Sequence, residues 1–86
     1  MANSISVTVK KQYGPNGYQL IAAAGTSGTA KLIGVDTIRL VQTYSDPTDV
    51  GIYSIVACEA TTGTRNDFYC EETTSAVNGL INAALA

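Results

Sequence analysis

The chain contains no histidine and no tryptophan, only two cysteines, two prolines and one methionine, and 14% charged residues among its 86. Without an imidazole, neither a Ser-His-Asp nor a Cys-His nucleophile can be assembled. Cys58 and Cys70 are too few and too far apart for a zinc site without histidine partners, and they read as reduced, inert thiols carried on strands. No Gly-rich phosphate loop followed by Lys-Ser/Thr occurs. The segment Gly25-Thr26-Ser27-Gly28-Thr29-Ala30-Lys31 could offer backbone amides to an anion, but its plainer reading is a hairpin connector. The longest apolar run, residues 20 to 24, falls far short of the roughly 20 residues of a membrane span. The first residues, Met-Ala-Asn-Ser-Ile-Ser, lack a basic stretch ahead of an apolar one, so no signal peptide is expected and the cytoplasm is the predicted location. A catalytic centre, a metal site and a cofactor are all unexpected.

Low charge carries a second implication. A solvated monomer surface is normally built from a chain with about 25% charged residues, so part of this uncharged surface is expected to meet another chain. Residues 1–86 are predicted to form a single domain that buries only about 60–65% of its unfolded surface, which leaves a thin core and favours self-association. Five Lys/Arg against seven Asp/Glu give a net charge of −2.

What is present is period-2 patterning. Residues 4 to 11 alternate strictly, with Ile5, Val7 and Val9 on one face, and predict a half-buried first strand. Turn formers crowd into Tyr13-Gly14-Pro15-Asn16-Gly17, so a hairpin returns through residues 18 to 24. Residues 30 to 35 and 37 to 44 read as one long β segment, with Gly34 marking a bulge or bend. Ser45-Asp46-Pro47-Thr48-Asp49 makes the next turn. Residues 51 to 60 are apolar on both faces, as expected of a central or interfacial strand. A fifth strand over residues 67 to 71 would place Cys58 and Cys70 opposite each other if its hairpin loop holds about five residues.

The period changes near the C-terminus. Val77, Leu80, Ile81, Ala84 and Leu85 fall on one helical stripe, with Thr73, Thr74 or Ser75 available as a cap and Glu71 and Glu72 suited to the positive end of the helix dipole. Gly79 weakens the helix interior by about 1 kcal/mol, so the helix is expected to depend on docking, with Gly79 allowing close approach to the sheet. The predicted fold is mainly β: a small, strongly bent five-stranded antiparallel sheet or barrel with a C-terminal α-helix.

Among candidate binding residues, Tyr44, Tyr53 and Tyr69 fall on three predicted strands, either to stack bases on an open sheet or to pack beneath the helix or at a subunit contact. The cations Lys10, Lys11, Lys31, Arg39 and Arg65 are scattered, but a ring of identical subunits would turn each into a charged circle.

The run Ala30-Lys31-Leu32-Ile33-Gly34-Val35-Asp36-Thr37-Ile38-Arg39-Leu40-Val41 resembles the first signature of Sm and Sm-like RNA-binding proteins, matching at Leu32, Gly34, Asp36, Leu40 and Val41. Val35 stands where that family usually has an aromatic residue, and Arg39 where it has a base-contacting Asn. Thr64-Arg65-Asn66-Asp67 resembles the second signature, with Arg65 in the place of its Arg and Asn66 in the place of a Gly, where a left-handed conformation is wanted. The family's helix usually comes first, whereas this chain is predicted to end with one. The short acidic chain closing in an Ala-rich helix also looks like small proteins of marine phages, including cyanophages. The resemblance implies an Sm-like, SH3-type barrel that closes into a homo-oligomeric ring of roughly five to seven subunits. It further implies single-stranded RNA binding, extending to DNA, in nucleic-acid processing within a phage-infected bacterial host, through Asp36, Arg39, Arg65 and Asn66. The rival expectation is a virion structural or assembly protein whose oligomerisation is its function.

Overall fold

The alternation of Ile5, Val7 and Val9 with Ser4 and Ser6 builds β1 (Ser4–Gly14), with the three aliphatic side chains buried and the serines exposed. This computed structural model describes residues 3–14, 17–22, 27–45, 51–59 and 63–85. The chain continues through β2 (Gly17–Leu20), β3 (Thr29–Gly34), a 3-10 turn (Val35–Thr37), β4 (Ile38–Thr43), β5 (Ser54–Glu59), β6 (Arg65–Cys70) and α1 (Thr74–Leu85). Every ladder is antiparallel, and the hydrogen-bonded order is β2-β1-β6-β5-β4, with β3 also paired to β1.

Among the described residues the fold is therefore mainly β with one C-terminal helix, in six strands rather than the five that the sequence pattern predicts. The extra strand comes from Gly34. The long β segment breaks there into β3, which pairs β1 from Ser4↔Gly34 to Val9↔Thr29, and β4, which pairs β5. Thr37 Oγ1 donates to the Gly34 carbonyl at 2.7 Å and the Val35 amide donates to the Asn3 carbonyl at 2.8 Å, fixing the turn between them. Only three residues separate β3 from β4, yet β1, β6 and β5 lie between them in the hydrogen-bonded order. Strands spaced about 4.8 Å apart can meet that condition only if the sheet curls, so the bend is a consequence of topology.

Inside the curl lie Ile5, Val7, Val9, Ile33, Val56, Cys58, Phe68 and Cys70, and Val77 of α1 joins them. β5 is central and buried on both faces from Ser54 to Cys58, as its two-sided apolar pattern implies. A bulge between Val9 and Lys11 changes the parity of β1 against β6. Val9 and Lys10 are both buried as a result. Beyond the bulge, Lys11 and Tyr13 join the face that carries Tyr69.

Thr73 caps α1, its Oγ1 accepting from the Ala76 amide at 3.1 Å. The helix packs on β1 and β4 through Val77, Ile81 and Ala84, whereas Leu80 and Leu85 are 38% and 63% exposed, contrary to the expectation that the whole stripe is buried. The two leucines lie on opposite flanks of a stripe centred on the other three. Gly79 faces open space, so it serves no close approach to the sheet. Glu71 and Glu72 fasten the loop before β3 and the strand β1 instead of the helix dipole. Glu71 accepts from the Gly28 amide at 2.6 Å and Glu72 from the Thr8 amide at 2.8 Å. The cysteines are free and share the inner face, but they are not opposite one another, since Cys58 pairs with Asn66 and Cys70 with Ser54. The ladder closes at Glu59↔Arg65, whereas a Cys58–Cys70 pairing would set Glu59 opposite Tyr69, four residues further along.

Candidate functional site

The outer face of the sheet, turned away from α1, gathers most of the chemistry. At one end, Arg39 sits in a bulge of β4 between Ile38 and Leu40, and Arg65 opens β6 opposite Glu59. These side chains, with Leu40, Ala57 and Cys58, line a shallow pocket of about 180 Å³. Arg39 and Arg65 are distant in sequence, and the β4-β5-β6 order brings them to one site because β5 alone separates their strands. Their side chains are 57% and 67% exposed, and that of Glu59 is 48% exposed.

Each arginine is partly engaged. Arg39 Nη1 donates to the Asp36 carbonyl at 3.1 Å, and its Nε lies 3.9 Å from Glu59 Oε1. Arg65 Nε donates to Asp67 Oδ1 at 3.3 Å. Two cations thus stand beside two carboxylates, those of Glu59 and Asp67. At exposed positions such pairs are worth no more than about 1 kcal/mol, so a ligand can displace them.

The structure joins two of the four predicted site residues, Arg39 and Arg65, in one pocket. Asp36, in the 3-10 turn, does not line that pocket and meets it only through its carbonyl, which accepts from Arg39. Asn66 faces the interior opposite Cys58, accepts from Gln12 Nε2 at 3.1 Å, and lines a different cavity of about 160 Å³ with Thr37 and Phe68. No described residue other than glycine has positive φ, so Asn66 does not take the left-handed conformation expected of it. Gly63, at φ +88°, supplies that geometry earlier in the connection.

Further along the same face the rings of Tyr13, Tyr18, Tyr69 and Tyr44 form a chain. Tyr13 and Tyr18 have centroids 4.6 Å apart, Tyr18 and Tyr69 6.0 Å, and Tyr69 meets Tyr44 edge-on at 5.3 Å. The Tyr18 and Tyr69 hydroxyls are 3.2 Å apart, and Lys11 Nζ lies 5.2 Å and 4.8 Å from their ring centroids. Tyr69 is buried, but Tyr13 and Tyr18 are 45% and 65% exposed. Tyr44 and Tyr69 therefore pack on the face away from the helix rather than beneath it.

Tyr13 and Tyr18 are the residues that sequence reasoning missed, and Lys11 was read only as one of the scattered cations. The hairpin itself was the available signal, because Gly14↔Gly17 register forces Tyr13 opposite Tyr18. The Val9/Lys11 bulge left none.

No protein-family model, curated protein or solved structure matches the chain. The Sm-like reading thus rests on the resemblance over residues 30–41 and at Arg65 and Asn66.

The two thiols are withdrawn from solvent chemistry. Burial pushes the Cys58 thiol up to about 11, with Asp67 adding to the effect and a Thr37 hydrogen bond opposing it. Burial likewise raises Cys70 to about 12, aided by the charge of Glu72. Both are protonated and unreactive at neutral pH. The Gly28 amide, in the described end of the Gly-rich connector, is already given to Glu71, and residues 23–26 lie outside the described residues. The predicted Asp46-Pro47 turn also lies outside them. Among the described residues no group of three or more acidic or thiol side chains is arranged to hold a metal ion. No helix there is long and apolar enough to cross a membrane.

Proposed function

We propose that the protein binds single-stranded nucleic acid, RNA foremost and DNA as well, without catalysis, and that it does so as a homo-oligomeric ring of Sm-like type. The observation that carries this reading is the placement of exposed cations and exposed aromatic rings on one open sheet face: Arg39 and Arg65 at one end, Tyr13 and Tyr18 beside Lys11 at the other. Unpaired bases stack on aromatic side chains for about 1–3 kcal/mol each, and cations track the strand between them. Among the described residues β4 has no partner beyond β5 and β3 none beyond β1, so two edges are available for pairing between copies. Repetition around a ring would convert a few arginines per subunit into a continuous track, consistent with nucleic-acid processing in a phage-infected bacterial cell.

Fluorescence anisotropy with labelled RNA and DNA oligomers at low salt tests the reading. Arg39→Ala, Arg65→Ala and Tyr18→Ala are each expected to weaken binding several-fold. Counterion release by the cations that meet phosphate should make log affinity fall as log salt rises. Unchanged binding in all three variants would overturn the assignment.

A virion structural or assembly role is supported by a different observation. Leu20 and Leu32 are 71% and 74% exposed on the same outer face, and large uncovered aliphatic side chains there suit a protein–protein lattice. Assembly without any response to oligonucleotides would select this role.

A further inference from the structure

The arginine pocket is built unlike a phosphate site. Phosphate needs cations without competing anions, yet Glu59 and Asp67 lie within 4 Å of the two guanidinium groups and the Asp36 carbonyl takes an Arg39 N–H. Each exposed guanidinium also presents a flat face to the pocket, and guanidinium planes stack on aromatic rings. Between them the floor is apolar, with Ala57 buried and Leu40 half exposed. Glu59 stands at the wall, tied to Arg39 only by a 3.9 Å contact. Its two oxygens can accept two parallel hydrogen bonds.

Flat cationic sides, an apolar floor and a paired acceptor complement a planar heteroaromatic ring with two adjacent donors on one edge. Of the four RNA bases only guanine has that edge, its N1–H and N2–H lying side by side. Adenine and cytosine set a single amino group next to an acceptor, and uracil flanks its one N–H with carbonyls that repel a carboxylate. A volume of about 180 Å³ admits a single base.

We propose that this pocket takes a guanine base of a bound single strand, with Glu59 accepting from N1–H and N2–H while Arg39 and Arg65 pack against the ring. The proposal rests on the single-strand reading and deepens it by naming the base. It makes Glu59 a specificity residue, although its charge alone would oppose nucleic acid.

The test is anisotropy at low salt with an adenine- and cytosine-containing RNA oligomer carrying one central guanine, against the same oligomer with adenine or inosine there. Inosine keeps N1–H and lacks the N2 amino group. The wild-type protein should prefer guanine over adenine about tenfold, in the lower part of the range for a good bidentate pair, with inosine intermediate. Glu59→Gln, and Glu59→Ala as a second variant, both at an exposed position and checked for an unchanged melting temperature, should abolish the preference without weakening the adenine oligomer.

Equal binding of all three oligomers, or a preference that survives in both variants, overturns the guanine pocket and leaves the single-strand reading standing. Absence of binding to any oligomer removes the single-strand reading itself. Guanosine 5′-monophosphate should bind much more weakly than the oligomer; if it binds as tightly, the pocket is a nucleotide site and the strand-bound base is overturned.

Discussion

Gly28 and Val77 show how unevenly single residues carry this small fold. A Cβ at Gly28 would collide with the Val9 carbonyl, which is backbone and cannot swing aside, and the Gly28 amide also holds Glu71. Gly28→Ala is therefore expected to lower the melting temperature severely. Val77 is fully buried, so Val77→Ala removes the equivalent of two methylene groups from the core. At about 0.8 kcal/mol each plus a cavity penalty, the loss should be about 2 kcal/mol. Leu80→Ala, at a position 38% exposed, should cost well under half of that in a urea titration. The thiols add a pH dependence. Unfolded cysteine loses its proton near 9.0, whereas the folded chain holds these two protons to about 11 and about 12. Between those values the folded state binds more protons than the unfolded one, so this contribution to stability is complete below pH 9 and falls as pH rises toward 12. A Cys58→Ala/Cys70→Ala double variant should show a shallower alkaline decline in urea midpoint than the parent.

At the scale of elements, α1 is where helix propensity and docking part company. Gly79 faces open space, so Gly79→Ala should stabilise the protein by about 0.5–1 kcal/mol by thermal unfolding, with no steric cost. Thr73→Ala, removing the cap, should cost about 1 kcal/mol. The helix was legible in the sequence because a period of 3.6 stands out after strands, but a five-residue stripe does not reveal which members lie at its centre, and Leu80 and Leu85 fell on the flanks. β1, the turn at Gly34 and the central position of β5 were legible for similar reasons, since alternation, an isolated Gly and two-sided apolarity each have one structural meaning. The split between β3 and β4 was not, because it depends on which distant strand each half joins. Nor was the tyrosine cluster, which exists only because the Val9/Lys11 bulge turns Lys11 and Tyr13 to the outer face. At the candidate site, Arg39 and Arg65 were found from a motif, while Asn66 pointed inward because β6 starts at Arg65 and the alternation runs from there.

For the whole molecule, the open edges of β3 and β4 set the expectation. Neither strand holds a proline, the only charged side chains on the two are Lys31 and Arg39, and exposed edges of that kind pair readily. Light scattering after size exclusion should give a multiple of the 86-residue chain mass, five- to seven-fold for the proposed ring. A monomer at micromolar concentration would leave Arg39 and Arg65 without their repeated track and the ring proposal without support.

The dual pairing of β1 has a kinetic side. The β1–β2 ladder is local, but β1 meets β6 through Val9↔Cys70, a contact about sixty residues apart in sequence. A growing chain can form the first hairpin early, yet it must wait for β6 to leave the ribosome before the sheet can curl shut. Ladders of such long sequence separation fold in milliseconds to seconds rather than microseconds. Until then the inner faces of Val7, Val9 and Ile33 stand open beside unprotected strand edges, so the interval of synthesis between the first hairpin and β6 is when this protein is most exposed to mispairing with its own copies.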